Sequence, residues 1–402
     1  MEDAESNKTG AWELARELVR IDSSDPGAYE GEIEAHIKGL VEDRLAALGS
    51  DVLGAVKIDE LEVLPGRRDL MVTVPGTSDE PRLVYICHMD TVKLGDGWDE
   101  DIDPLGGLVR DDRLYGRGAC DMKSGLACAL SALFGLLERI AHEGALPRRG
   151  FSLICSVDEE DYMRGVEAAI DAGWVGSREW VLDTEPTDGQ IQVAHKGRTW
   201  FEIEMQGVTA HASQPWEGAD AVAAMAEVIS NIRHAFDELC EHAELGRSTV
   251  TFGQVDGGYS PYVVPDAAKL WVDMRLVPPY TTATAVGIVE RAIACAETEV
   301  LGCHGSYTIT GDRPAIKRDP DSPLLKALKG AADKVTGENT RVGFFTGYTD
   351  TAVIAGTCGN RNCMSYGPGS LALAHKPNEY VPKADVLRCE AVLKRLLDEQ
   401  LW

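Results

Sequence analysis

Residues 83–90 read Leu83-Val84-Tyr85-Ile86-Cys87-His88-Met89-Asp90, an apolar run that passes directly into a histidine and an aspartate. Leu83 to Cys87 reads as a buried strand, and a spacing of two at its end points His88 and Asp90 the same way. The same design recurs twice. Phe151 to Val157 reads as a strand followed by Asp158-Glu159-Glu160-Asp161, and Trp180 to Leu182 as a strand followed by Asp183-Thr184-Glu185-Pro186-Thr187. Helical stretches, Ser124 to Arg139 and Val166 to Ala172, lie between them. Buried strands alternating with helices predict an α/β fold with a mostly parallel central sheet covered on both faces.

Upstream, residues 11–48 carry helical periodicity (Leu14, Leu18, Ile33, Ile37, Leu40, Val41, Leu45), interrupted by a turn from Asp22 to Gly27. Downstream, the texture changes at about residue 197. Thr199 to Gln206, Ser248 to Val255 and Ala268 to Leu276 alternate polar and apolar, Asp220 to Leu245 and Thr282 to Val300 are helical, and Ser306 to Thr310 is a last strand. That pattern predicts an inserted α+β unit with one polar sheet face. Helices at Ser322 to Thr336 and Lys383 to Leu401 then resume the first texture. The expected organisation is a first domain in two pieces, 1–195 and 313–402, and an inserted domain at 196–312.

The length of 402 residues supports this division, since a single core stops growing at about 250–300 residues. The 39 basic and 66 acidic side chains leave a charge of −27, which repels phosphate backbones and anionic membranes. Nucleic-acid and membrane partners are therefore not expected. The N-terminal MEDAESNKTG lacks the basic and apolar regions of a secretory leader, and the apolar run Leu126 to Leu137 is too short to span a bilayer. A cytoplasmic protein is expected, its ten scattered cysteines read as buried reduced thiols.

Taken singly, each polar signal has an ordinary explanation. A lone H-x-D occurs by chance, Asp121 in Gly116-Arg117-Gly118-Ala119-Cys120-Asp121-Met122-Lys123-Ser124-Gly125 sits where helices place N-caps, and acid runs are usually solvated turns. All of them nevertheless fall at the carboxyl ends of strands, where open α/β sheets bind ligands. Converging carboxylates repel unless a cation neutralises them, and imidazole among them selects a transition metal such as zinc. His375, in Gly367-Pro368-Gly369-Ser370-Leu371-Ala372-Leu373-Ala374-His375-Lys376-Pro377-Asn378-Glu379, adds a second imidazole. Two histidines and three or four carboxylates suffice for two ions sharing a bridging carboxylate.

Together, His88-x-Asp90, the segment around Asp121, Glu159-Glu160, Glu185-Pro186-Thr187, and Y-G-P-G-S with A-H-K-P-N-E resemble the M20 metallopeptidase family. Acetylornithine deacetylase, succinyl-diaminopimelate desuccinylase and bacterial glutamate carboxypeptidase are of this type, and the resemblance spans about residues 80–385. It implies a catalytic domain with two zinc ions, cobalt or manganese being the expected substitutes. It also implies a smaller lid domain through which such enzymes dimerise.

The resemblance makes Asp121 the bridging carboxylate, His88 and Glu185 the other ligands of one ion, and Glu160 and His375 those of the second. Glu159 becomes the general base, and Asp90 steadies the His88 ring. Asp183 competes with Glu185 because both follow one strand; the intact E-P-T, with Ala194-His195-Lys196-Gly197 following, favours Glu185. In the lid, the resemblance has His211 stabilise the oxyanion of a partner subunit's site and Arg275 anchor a substrate carboxylate, which suits a guanidinium. The segments containing Thr346 and Gly369 resemble loops bordering the substrate pocket. Many relatives carry asparagine where this chain has Tyr262, so no relative's specificity transfers directly. His36, His142, His234, His242 and His304 read as surface or capping residues.

The expected activity is hydrolysis of an amide bond beside a free carboxylate, in the form of deacylation of an N-acyl amino acid. A dipeptidase, aminopeptidase or carboxypeptidase acting on short peptides is the alternative. A non-catalytic metal-binding relative is disfavoured by Glu159, because a base beside a ligand serves no purpose in storage.

Overall fold

The computed structural model describes residues 10–402. The polar N-terminal stretch therefore lies, except for Gly10, outside the described residues. The chain divides into two compact units. The larger takes the described residues up to Val193, with Arg318–Phe345 and Thr349–Trp402; the smaller takes Ala194–Lys317 with Thr346–Tyr348.

The larger unit is built on an eight-stranded sheet in the order Val342–Phe345, Ile191–His195, Cys363–Gly367, Trp180–Pro186, Leu83–His88, Phe151–Ser156, Arg67–Val74, Lys57–Leu64. Its middle four strands, from Cys363–Gly367 to Phe151–Ser156, pair parallel. Leu83–His88 and Phe151–Ser156 are buried at every residue, as parallel strands covered on both faces must be. Ile191–His195, Arg67–Val74 and Lys57–Leu64 join antiparallel, the last two as a hairpin that hydropathy does not announce. Lys57–Leu64 is a sheet edge of alternating charged and apolar residues, and Arg67–Val74 buries both Arg67 and Asp69.

Several boundaries correct the sequence reading. The strand expected to stop at Leu182 continues to Pro186, so Asp183 and Glu185 lie within it. The apolar run expected from Leu126 to Leu137 belongs to a 21-residue helix, Lys123–Glu143, long and apolar enough to cross a membrane by length and composition alone. Here it is a core helix. It packs between Ala11–Val19 and Lys383–Leu401, and Leu126, Leu130, Leu133 and Leu137 are fully buried, each contributing roughly 1.5–3 kcal/mol. All ten cysteines are free, but Cys240 and Cys295 are exposed and Cys358 is half-buried, so burial does not hold for every thiol.

The smaller unit is a four-stranded antiparallel sheet, Thr249–Gly257, Ala267–Leu276, Gly197–Gln206, His304–Arg313. Period-two alternation puts Phe201, Ile203, Met205, Leu270, Val272 and Met274 on one face, where helices Ala221–Asp237 and Thr282–Glu299 cover them. The first helix starts at an Asp220 cap whose Oδ1 accepts the Val222 and Ala223 N–H groups, both at 2.9 Å. It ends at Asp237, not near Leu245, because the chain after it folds into a separate turn. There His242 Nδ1 accepts the N–H groups of Glu244 and Leu245 at 3.2 Å, and its backbone pairs with Gly246.

Candidate metal centre

The site lies at the carboxyl ends of three of the four parallel strands, Leu83–His88, Phe151–Ser156 and Trp180–Pro186. His88 ends the first; its Nδ1 donates to the Asp90 carbonyl oxygen at 3.0 Å, which leaves Nε2 facing the cluster. Nε2 lies 3.3 Å from Asp121 Oδ1 and 3.7 Å from Glu185 Oε1. The other oxygen of Asp121, Oδ2, lies 3.4 Å from His375 Nε2, which is itself 2.9 Å from Glu160 Oε2. The Asp121 carboxylate thus presents one oxygen to each histidine. Candidate ligand atoms of His88, Asp121 and Glu160, and separately of His88, Glu159 and Glu185, lie within 4.8 Å of one another.

One expectation shifts. The Asp90 group that steadies His88 is its backbone carbonyl, while its carboxylate stands 3.6 Å from Nδ1 and accepts the Glu160 N–H on Oδ2 at 3.0 Å. Asp183 does not join the cluster: it accepts a hydrogen bond from Thr351 at 2.7 Å. Among the two acids of that strand, Glu185 faces His88.

The carboxylates of the centre are buried and crowd one another. Burial raises the carboxyls of Glu160 and Glu185, and the charge of Asp121 raises both further. Burial would raise Asp121 too, but hydrogen bonds from His375 and His88 outweigh it and hold this carboxyl below the ordinary range. Hydrogen bonds to Asp121 and Glu160 push His375 up to about 10. Lys123, two residues from Asp121, offers no compensation at the centre, since its Nζ donates to the Ile21 carbonyl at 2.6 Å. Glu160 Oε1 is buried with no hydrogen-bond partner.

The donor set fits divalent metal. Nitrogen and oxygen donors at about 2.0–2.2 Å from a tetrahedral zinc stand about 3.4 Å from each other. The His88–Asp121, His88–Glu185 and His375–Asp121 separations of 3.3, 3.7 and 3.4 Å lie around that value, longer than the usual charge-assisted hydrogen bond.

Glu379, four residues after His375, also belongs to this arrangement. Its Oε1 accepts the N–H groups of Cys120 and Asp121 at 2.8 and 3.1 Å, and Oε2 takes Arg117 at 2.6 Å. Burial pushes its carboxyl up to about 7. Gly369 sits at φ 78°, where a Cβ would come 2.7 Å from Cys120 Sγ, so only glycine lets its loop lie against the Asp121 segment.

The remaining candidates lie in the smaller unit. His211 is exposed; its Nδ1 accepts the Ser213 N–H at 3.2 Å and lies 2.8 Å from Ser213 Oγ. The Tyr262 carbonyl accepts the neighbouring Ala212 N–H at 3.1 Å, while the Tyr262 side chain is exposed. Arg275 is closed bidentately on Asp273, at 2.7 and 2.8 Å, and Thr346 lies in an exposed bend.

Fold and donor set define a metal-dependent hydrolase. Residues 84–399 match the model of peptidase family M20/M25/M40, and the chain belongs to that family. It is 25% identical over 366 residues to a probable succinyl-diaminopimelate desuccinylase of Staphylococcus aureus, covering 84% of this chain and 88% of that protein. It is 27% identical over 335 residues to acetylornithine deacetylase of Myxococcus xanthus, covering 81% and 82%. An M20 family metallo-carboxypeptidase of Sulfolobus solfataricus shares the fold with a TM-score of 0.76 at 19% identity, covering 95% of this chain and 97% of that one.

Proposed function

We propose that the protein removes the acyl group from an N-acyl amino acid, hydrolysing an amide beside a free carboxylate with two zinc ions at the centre described. His88, Asp121 and Glu185 would hold one ion and Asp121, Glu160 and His375 the other. The observation that carries the reading is the Asp121 carboxylate, with one oxygen toward each histidine. Bound there, the ions would polarise the scissile carbonyl and acidify the attacking water toward a pKa of about 7.

The chain's own groups do the rest. Glu159 takes the proton of the attacking water and carries it to the departing amine. Burial, the largest influence, together with the charges of Asp350, Glu160 and Asp90 raises its carboxyl well above the ordinary value, the direction a proton carrier needs. Its neighbour Asp90 keeps the His88 ring oriented through the carbonyl contact. Glu379 and Arg117 hold the backbone at Asp121. In this reading the chain works in the cytoplasm as a homodimer through the smaller unit. His211 there shares the oxyanion charge in the partner's site, Arg275 binds the substrate carboxylate, and the Thr346 and Gly369 segments border the pocket.

The names of the two curated relatives favour deacylation over peptide cleavage. A hydrolysis screen of N-acetyl and N-succinyl amino acids and dipeptides, with zinc, cobalt and manganese in turn, tests this. Acyl amino acids should be turned over fastest; hydrolysis of dipeptides alone would replace the deacylase reading with a peptidase.

A further inference from the structure

The loop carrying Glu159 and Glu160 is tied from behind by a buried ion cluster whose members lie far apart in sequence. Glu30, the residue before helix Gly31–Leu48, is fully buried. Its Oε1 accepts the Asp158 backbone N–H at 3.0 Å, and its two oxygens take Arg67 Nη2 and Nε at 2.5 and 2.6 Å. Arg67 Nη2 also reaches Asp25 Oδ2 at 2.6 Å, and Nη1 lies 3.4 Å from Asp158 Oδ1. Arg164 Nε donates to Asp158 Oδ2 at 2.6 Å. Neighbouring amides are held too: Val157 N–H donates to Asp69 Oδ1 at 2.9 Å and Glu160 N–H to Asp90 Oδ2 at 3.0 Å.

These ties converge on an unusual backbone. Asp158 has φ 67°, a left-handed conformation that a side-chain-bearing residue keeps only where its surroundings enforce it. The residues that follow reach different parts of the centre, Glu159 joining Glu185 beside His88, and Glu160 meeting Asp121 and His375. A buried carboxylate such as Glu30 is costly without a counter-ion. The Arg67 fork supplies one, holding both carboxylate oxygens in one plane while Oε1 also accepts the Asp158 amide, an orientation that a point charge would not fix.

We infer that Glu30 and Arg67 are positioning residues of the reaction, setting the left-handed turn at Asp158 that delivers Glu159 and Glu160 to separate parts of the metal centre. The inference rests on the reading of Glu160 as a ligand and Glu159 as the proton carrier. Both residues lie before residue 84, where the family match begins.

The test uses Arg67→Lys and Glu30→Gln in the full chain, with cobalt(II) binding to the apoprotein followed by equilibrium dialysis and visible absorption. The wild type should bind two equivalents. Each variant should keep one and weaken the other by about 10- to 100-fold, the usual loss on removing a ligand's supporting contact. Against an N-acyl amino acid turned over in the screen, kcat should fall with KM little changed, and excess cobalt should restore part of it. Tyr85→Phe, which removes a buried hydrogen bond to the Leu393 carbonyl, serves as a destabilised control with both cobalt affinities intact.

Folded Arg67→Lys and Glu30→Gln proteins with wild-type cobalt affinities and kcat overturn the inference. If neither folds, Asp25→Ala removes one arm of Arg67 from a half-buried position and should weaken the same equivalent in part; unchanged binding then overturns it. Glu160→Gln separates the two claims. If that variant retains both equivalents at full affinity, the ligand assignment has failed, independently of the clamp.

Discussion

Gly367→Ala should cripple the site without touching any of its polar groups. Gly367 ends the strand Cys363–Gly367, beside the strand that carries Glu185, and the pairing shifts register there. A Cβ at Gly367 would lie 2.1 Å from the Thr184 carbonyl oxygen and 2.5 Å from that of Glu185. Side-chain carbons are essentially never found closer than 3.0 Å, and both obstacles are backbone, so the strands must part by about 0.9 Å. The Gly367 N–H also donates to Thr187 Oγ1 at 3.1 Å and would be strained by the same movement. Overpacking of this kind costs about 1–3 kcal/mol. A displacement near 1 Å of a positioned catalytic group costs about 10²-fold in rate. Urea unfolding, kcat on an acyl amino acid and cobalt stoichiometry measure the three consequences. Gly330→Ala is the counterpart, since nothing lies within 4 Å of its Cβ and it sits in helix Pro323–Thr336; it should stabilise by about 0.4–1 kcal/mol. A Gly367→Ala protein with wild-type stability and kcat would refute the packing argument.

Glu159→Gln should abolish turnover while both cobalt equivalents remain; substantial activity would move the base elsewhere. His195 is buried and burial pushes its imidazole down to about 4, against about 6.5 unfolded. The unfolded chain therefore binds more protons between these values. This contribution is complete above about pH 6.5 and is lost as pH falls through about 4, by at most roughly 3 kcal/mol. His195→Gln should flatten the pH dependence of urea unfolding across that window, and an unchanged slope would contradict the burial argument. Mixing inactive Glu159→Ala with inactive His211→Ala subunits should restore activity at one of the two sites in hybrid dimers, and no recovery despite demonstrated subunit exchange would place His211 outside the partner's site.

The family and the α/β architecture are legible because their signals are local. His88 and the acids after Phe151–Ser156 stand where a strand stops, and Asp121 where a helix starts, so spacing alone displays them. What stays hidden depends on pairing across the chain. No motif marks Arg67 or Asp69, and only the fold supplies Glu30 for one and the Val157 amide for the other. Cys363–Gly367 is too short and too mixed to announce a sheet strand, yet it lies between two others. Strand position alone leaves Asp183 and Glu185 equivalent; the E-P-T motif favours Glu185, and in the fold Asp183 takes a hydrogen bond from Thr351 instead. Glu379 stands in its motif, but its role depends on the Cys120 and Asp121 amides that fold onto it.

Anomalous diffraction from crystals grown with zinc tests the central claim most directly. Two peaks about 3.5–4 Å apart should flank the Asp121 carboxylate, one in contact with His88 and Glu185 and the other with Glu160 and His375. A single peak, or two peaks that do not share Asp121, would contradict the bridged centre on which the proposed chemistry depends.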